Sequence, residues 1–412
     1  MPTEGFPFDG DVAVIDISSF SGKYIGNPRS KSRTAKFFIF LFGLAAAVFV
    51  VIVFLWYVVD EATGERYSDL IGNIALGVVI LLLAGAIGLV MRDRLRWFAG
   101  LETLIAPNEF SADALKRPIP EVGFTLGDLV NRLGEISRRL GPIVDVKRSD
   151  PAQIAKARLH KGLAIAFLVI AVILIPLALM GTLIFATLAI AQYVSYLRAA
   201  QPTIEEVRSV DKRKPILMLR SFRDDQLTAP EPSSLKFYHP GGGRRLEQII
   251  AGSFRQFGTF IAIGEPGEKL PQLGAARSQL SGDAWQSAVL GWIHESTLIV
   301  MLAGTTQWIT WELHRVVEQN QFGKLMILLP PEQISPLFGK KFSARAARWQ
   351  TVLDAFADRP WGAALARLDL NGLLVVQLEN DGKVVGIRSH NSFLRDYKLA
   401  VGLAIYSKLG QG

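Results

Sequence analysis

Long uncharged apolar runs dominate the first half of the chain, and shorter ones alternate with amphipathic stretches in the second half. Residues 37–59, "FFIFLFGLAAAVFVVIVFLWYVV", and 70–91, "LIGNIALGVVILLLAGAIGLVM", carry no charge. As helices rising about 1.5 Å per residue, each is long enough to cross a hydrocarbon core of about 30 Å. A third uncharged run, 162–196, is interrupted by Pro176 and Gly181. A straight helix of that length would measure about 52 Å, so a hairpin of two short spans is expected. The alternative is one tilted span followed by an interfacial helix.

Charges beside these runs predict an orientation, because flanking Lys and Arg tend to stay in the cytoplasm. Lys23, Arg29, Lys31, Arg33 and Lys36 precede the first run, and Arg92, Arg94 and Arg96 follow the second. Between them Asp60, Glu61, Glu65 and Asp69 face a single Arg66. The third run is basic on both sides, with Arg158 and Lys161 before it and Arg198, Arg208, Lys212, Arg213 and Lys214 after it. The expectation is a multi-pass bacterial inner-membrane protein of about four helical spans, with its last domain in the cytoplasm. The acidic stretch with Asp9, Asp11 and Asp16 ahead of the first run argues against a cleavable signal. The expected segments are a cytoplasmic amino-terminal piece (1–36), two spans (37–91), a helical insert (92–161), a transmembrane hairpin (162–196), a linker (197–212) and an α/β domain (213–412).

Within the insert, Leu126, Leu129, Val130, Leu133, Ile136 and Leu140 recur at steps of three and four, which predicts an amphipathic helix ending near Gly141 and Pro142. Its polar side carries Arg132, Arg138 and Arg139. Such a helix covers either neighbouring protein or anionic lipid.

Beyond Lys212 the apolar runs are short. "PILMLRS" (215–221), "TFIAIG" (259–264), "TLIVMLAG" (297–304) and "KLMILLPP" (324–331) read as buried strands. Helical patterns at 244–258, around Trp285 to Ile293 and at 308–320 separate them. The alternation predicts a mostly parallel sheet covered on both faces. Farther on, "ARAARWQTVLDAFAD" reads as a helix, "GLLVVQLENDGKVVGIR" as a hairpin turning at Asp381 and Gly382, and 392–409 as a final helix. Ligands of parallel sheets bind beyond the carboxyl ends of the strands. The residues to inspect are therefore Arg220, Ser221 and Asp224 after the first strand, Glu265 after the second, and Thr305, Thr306 and Glu312 after the third.

Composition narrows the chemistry. Half of the 412 residues are hydrophobic and the mean hydropathy is +0.28, as in a membrane protein with a soluble part. The absence of cysteine excludes disulfides, thiolate metal sites and thiol catalysis. The five histidines are scattered, and "HESTL" at 294 has Leu298 where a zinc-protease helix needs a second histidine. No metal or cofactor is expected. The net charge of +8 lies largely beside the apolar runs, where lipid phosphate accounts for it, so the expected partner is a bilayer and not nucleic acid. "GGGRR" at 241–245 precedes a helix but lacks the Lys-Ser/Thr ending of a phosphate loop.

Three ordered motifs resemble a known family. "SFRD" (221–224) follows the first strand, "GEPGEK" (264–269) the second and "TTQWITWEL" (305–313) the third. Together they are similar to bacterial TIR or TIR-like domains, which have a flavodoxin-like fold and include NAD-cleaving members. The resemblance covers about 120 residues, from Lys214 to Pro331. It implies that Glu312 of Trp-x-x-x-Glu-Leu is catalytic and that Arg220, Ser221, Asp224, Trp308 and Trp311 lie against the substrate. Glu265, Pro266 and Gly267 would form the interaction loop, and association between TIR-like domains would give a homo-oligomer. The chain departs from the family in its long segment after "SFRD", in Arg220 ahead of the serine, and in the extra residues "LPQLGAARSQLSGDA".

Cleaving nicotinamide from ribose develops positive charge on the sugar, which a carboxylate in a dry pocket stabilises. On this reading NAD is the substrate of Glu312, and the protein is a membrane-anchored effector in defence or signalling. Two alternatives stay open: a non-catalytic interaction module of the same fold, and a pore controlled by the soluble domain. Each residue also has a plainer role. A glutamate in the first turn of a helix is favoured by the helix dipole, by about 0.3–1 kcal/mol, and tryptophans beside a strand fill cores.

Overall fold

The computed structural model describes residues 10–20, 110–174, 179–221, 224, 227–229, 244–264, 275–278, 284–331 and 345–410. The described strands are β1 (Val12–Asp16), β2 (Pro215–Leu219), β3 (Thr228–Ala229), β4 (Arg244–Arg245), β5 (Thr259–Ile263), β6 (Ala276–Ser278), β7 (Leu298–Leu302), β8 (Leu325–Leu328), β9 (Leu373–Leu378) and β10 (Val384–Arg388). The described helices are α1 (Ala112–Leu115), α2 (Leu126–Leu140), α3 (Pro151–Leu174), α4 (Leu179–Ala199), α5 (Ile204–Val210), α6 (Leu246–Phe254), α7 (Ala284–Glu295), α8 (Gln307–Glu318), α9 (Arg345–Phe356), α10 (Gly362–Ala366) and α11 (Leu394–Leu409).

The chain divides into two units that do not follow its order. Met1–Ile25, Gly100–Ser149 and Gln201–Gly412 make the first, and Gly26–Ala99 with Asp150–Ala200 make the second. In the first unit a mixed sheet runs β1-β10-β9-β8-β7-β2-β5-β6. Only β9 among these strands runs against its neighbours, pairing antiparallel with both β8 and β10. The small pair β3-β4 stands apart.

Alternation along the strands divides the core into two layers. Ile216 and Met218 of β2, with Leu298, Val300 and Leu302 of β7, face a layer built from α2, α6 and α11. Leu217, Leu219, Ile299 and Met301 face the other layer, built from α5, α7, α8 and α9. Both faces being covered explains why β2, β5 and β7 are buried at every position, and hence why they read as unbroken apolar runs. The β9–β10 hairpin turns through Asp381 and Gly382, whose φ of +87° favours glycine.

Helix α2 shows how its sequence specifies its place. Thr125 and Asp128 form a reciprocal capping box, and the helix stops at Gly141 with φ of +100°. Leu126, Leu129, Leu133 and Ile136 are buried in the same core as Phe254 and Leu403. Each such burial contributes about 1.5–3 kcal/mol relative to exposure. Of the two expected partners for this helix, protein is the one observed. Arg132 lies 4.7 Å from the Phe124 ring centroid and 5.2 Å from that of Tyr406, and Arg139 donates 2.6 Å to the Leu409 carbonyl.

The expected transmembrane architecture requires correction. Among the described residues, no helix is long and apolar enough to cross a membrane. The reason is visible in the second unit, where the third apolar run is divided between α3 and α4. Lys156, Arg158, His160 and Lys161 occupy the first half of α3, leaving 162–174 uncharged, about 20 Å of helix. The carboxyl-terminal part of α4 brings in Gln192, Tyr193, Ser195, Tyr196 and Arg198. A polar contact joins the pair, His160 Nδ1 lying 2.7 Å from Gln192 Oε1, and Phe167 stands 6.0 Å from Phe185 between ring centroids. The expectations of a multi-pass inner-membrane protein and of a transmembrane hairpin at 162–196 therefore do not hold for the helices described. Runs 37–59 and 70–91 lie outside the described residues.

Candidate functional site

The carboxyl ends of β2 and β7 adjoin in the sheet, and the residues that leave them meet there. Helix α8 begins directly beyond β7, after Thr306. Its sixth residue is Glu312, so the carboxylate lies in the second turn, beyond the part of the helix where dipole stabilisation is strong. Ile309, Leu313 and Val316 bury the adjoining face of α8, and that amphipathic spacing carries Glu312 inward with them.

Glu312 is only 6% exposed. Its Oε2 makes no hydrogen bond among the described residues. Burial pushes its carboxyl up to about 8, against the opposing pull of the Arg220 guanidinium. At neutral pH the group is therefore mostly a neutral acid. Thr306 Oγ1, at the start of the same helix, is also buried without a hydrogen-bond partner among the described residues.

Arg220 belongs to a buried charge cluster. Its Nε lies 3.1 Å from Glu247 Oε2, and Arg277 Nη2 donates to both oxygens of Glu247 at 2.7 and 2.8 Å. Burial raises the Glu247 carboxyl, but the two guanidinium groups outweigh it and hold the carboxyl below its ordinary value. The Arg220 and Arg277 side chains are each 2% exposed. Arg220 is thus enclosed within the protein beside Glu247.

Ser221 is buried at the β2 exit, and its carbonyl accepts 2.9 Å from the Asp224 amide. Asp224 is engaged bidentately by Arg348 of α9, at 2.9 Å from Nη1 and 2.7 Å from Nη2. The same Nη1 donates 2.7 Å to the Ala303 carbonyl. Asp224 thus fastens α9 across the β2 and β7 exits. Arg348 was not among the residues the sequence marked, because a lone arginine on a helix carries no signal of a partner 124 positions away.

The tryptophans divide by exposure. Trp308 is 51% exposed and meets Trp285 edge-on at 5.1 Å between centroids. Trp285 also touches Trp311 at 5.1 Å, and the Arg315 guanidinium lies 5.4 Å from the Trp311 ring centroid. One helical turn separates Trp308 from Glu312, so both lie on one side of α8. The structure brings Arg220 and Glu312 together, joins Ser221 to Asp224, and gathers the tryptophans into a neighbouring patch. Glu265, Pro266 and Gly267 lie outside the described residues, as do 241–243 of "GGGRR"; Arg244 and Arg245 form β4. Among the described residues no group of three or more His, Asp or Glu side chains is placed to hold a metal ion. No protein-family model, curated protein or solved structure matches the chain, so the likeness to TIR domains rests on the motif residues alone.

Proposed function

We propose that the α/β unit is a TIR-like effector module that hydrolyses the nicotinamide–ribose bond of NAD, with Glu312 as the catalytic carboxylate. The observation that carries this reading is a glutamate buried beyond the strand ends, with one oxygen unbonded among the described residues and its carboxyl raised to about 8. Strong desolvation together with a specific charged neighbour is the arrangement by which active sites shift the carboxylates they use. When the C1′–N1 bond breaks, the electron pair leaves with nicotinamide and positive charge develops on the ribose. An ionised Glu312 stabilises that charge, and water then adds to C1′ and loses a proton to solvent, leaving the ribose hydroxyl. Ionising the acid at pH 7 costs about 1.4 kcal/mol for a group one unit above the ambient pH. The positive charge of the bound nicotinamide ring offsets this cost. Trp308 supplies an exposed aromatic surface one turn away, and self-association of the units completes the reading.

A second reading, a non-catalytic interaction module, is favoured by one observation. Asp224 is already engaged by Arg348, and Arg220 by Glu247, so two groups expected to meet the substrate have partners inside the protein. The test is nicotinamide release from NAD by the full chain over a range of protein concentrations, beside Glu312→Gln. Loss of a preorganised electrostatic group lowers turnover by about 100-fold or more. Absence of release by the wild type, or equal release by Glu312→Gln, favours the interaction module.

A further inference from the structure

The chain leaves the first unit after Ser149 and re-enters it at Gln201, and these two points are fastened to each other. Arg148 Nη1 donates 3.0 Å to the Gln201 carbonyl. Glu206 accepts from the Ser149 amide at 2.6 Å and from the Ser149 hydroxyl, and Arg148 Nε lies 3.8 Å from it. The same glutamate closes the capping box of α5, accepting 2.8 Å from the Thr203 amide. Burial raises the Glu206 carboxyl, but hydrogen bonds from Ser149 and Thr203 and the charge of Arg148 outweigh that and lower it.

The clasp continues into the edge of the sheet. Gln201 Nε2 donates 2.6 Å to the Ala275 carbonyl, and Thr203 forms a parallel bridge with Arg277 of β6. A backbone hydrogen bond from Ala275 and the charge of Arg277 both reach Glu247, which pairs with Arg220, the charged neighbour of Glu312.

We propose that Arg277 and Glu247 are positioning residues that couple the clasp at Ser149 and Gln201, through Arg220, to Glu312. The coupling is electrostatic. Glu247 divides its charge between two guanidinium groups, so any movement of β6 that withdraws Arg277 draws Glu247 more fully onto Arg220. Arg220 then offers less positive charge to Glu312. Among the described residues, the other charged groups at these strand exits include Asp224, closed off by Arg348 of α9, and, on α8 itself, exposed His314 and partly exposed Arg315. None of these belongs to the chain of contacts from the clasp. This inference goes beyond NAD cleavage, because it concerns what sets the state of Glu312, whatever ligand that group meets.

The experiment follows the Glu312 carboxyl directly in the full chain labelled with 13C-carboxyl glutamate. Its resonance is identified by its loss in Glu312→Gln and is followed across pH 5–9. The wild-type midpoint is expected near 8. Arg277→Met is expected to raise it by about one unit, and Arg277→Lys, which keeps the charge, to restore most of the difference. Glu206→Ala opens the clasp and is expected to shift the midpoint in the same direction. Adding Arg277→Met to Glu206→Ala should produce less than the sum of the two shifts, as coupled sites do. An unmoved midpoint in Arg277→Met overturns the positioning role, and one unmoved in Glu206→Ala overturns the coupling to the clasp. Gln201→Ala, which removes only the bond to Ala275, carries the same test if Arg277→Met fails to fold. No turnover enters these measurements, so failure of NAD cleavage and failure of the coupling remain distinguishable.

Discussion

Replacing Glu312 by glutamine should change the pH dependence of stability in a way that only a buried, proton-holding carboxyl can produce. In the folded chain this group titrates near 8, against an ordinary value of 4.5. Between those values the folded state keeps a proton that the unfolded state has released. The associated stability is therefore intact below about pH 4.5, falls as pH rises, and levels off above about pH 8. The slope is about 1.4 kcal/mol per pH unit for one proton. Over the interval from 4.5 to 7 this amounts to a loss of about 3 kcal/mol. Glutamine has the same shape and no proton to lose, so the stability of Glu312→Gln relative to wild type should rise by about 3 kcal/mol between pH 4.5 and pH 7. Urea unfolding of both full-length proteins, followed by tryptophan fluorescence at half-unit steps from pH 4 to 9, measures that difference. Parallel pH profiles would refute the assignment of Glu312 as a buried neutral acid, since a constant offset reports packing and not protonation.

Two further outcomes follow from the same architecture. Arg348→Met removes the bidentate partner of buried Asp224 and the donor to the Ala303 carbonyl; it should destabilise the unit by about 3–5 kcal/mol in urea unfolding, with Arg348→Lys recovering only part because a single ammonium cannot bridge both carboxylate oxygens. A fragment of residues 201–412 lacks β1 and α2, and so leaves the β10 edge unpaired and uncovers the core around Leu403; it should show no cooperative thermal transition, whereas joining residues 10–20 and 110–149 to it should restore one.

The middle of the sheet was legible because its physics is local. β2, β5, β7 and β8 are buried on both faces, and double burial writes itself into sequence as consecutive aliphatic residues. The buried side of α2 was legible for the same reason, since helical spacing reports which side is covered. It does not report the cover, and nothing at Leu129 or Leu133 indicates α6 and α11. β1 was missed because its alternating burial sits inside a stretch carrying Asp11 and Asp16, which reads as polar. β6 is a three-residue strand, too short for any period, and it lay within residues that look like an insertion. The third apolar run, 162–196, misled for a related reason: lack of charge does not report that the run is shared between two helices, each of which also carries polar residues. At the site, position beyond the strand ends was readable for Arg220, Ser221, Asp224 and Glu312. The pairings that decide their behaviour, Arg348 with Asp224 and Arg277 with Glu247, join residues whose partners are set by the tertiary fold.

The pairing of Val12 with Val384 imposes an order on synthesis. β1 emerges from the ribosome first among the described strands, yet β10, its sheet neighbour among them, emerges roughly 370 residues later, about 20–75 s at ~5–20 residues per second. The sheet can therefore begin closing from β2, β5 and β7 while β1 waits. Its last seam forms only at the end of translation, and long-range seams of this kind make folding slow.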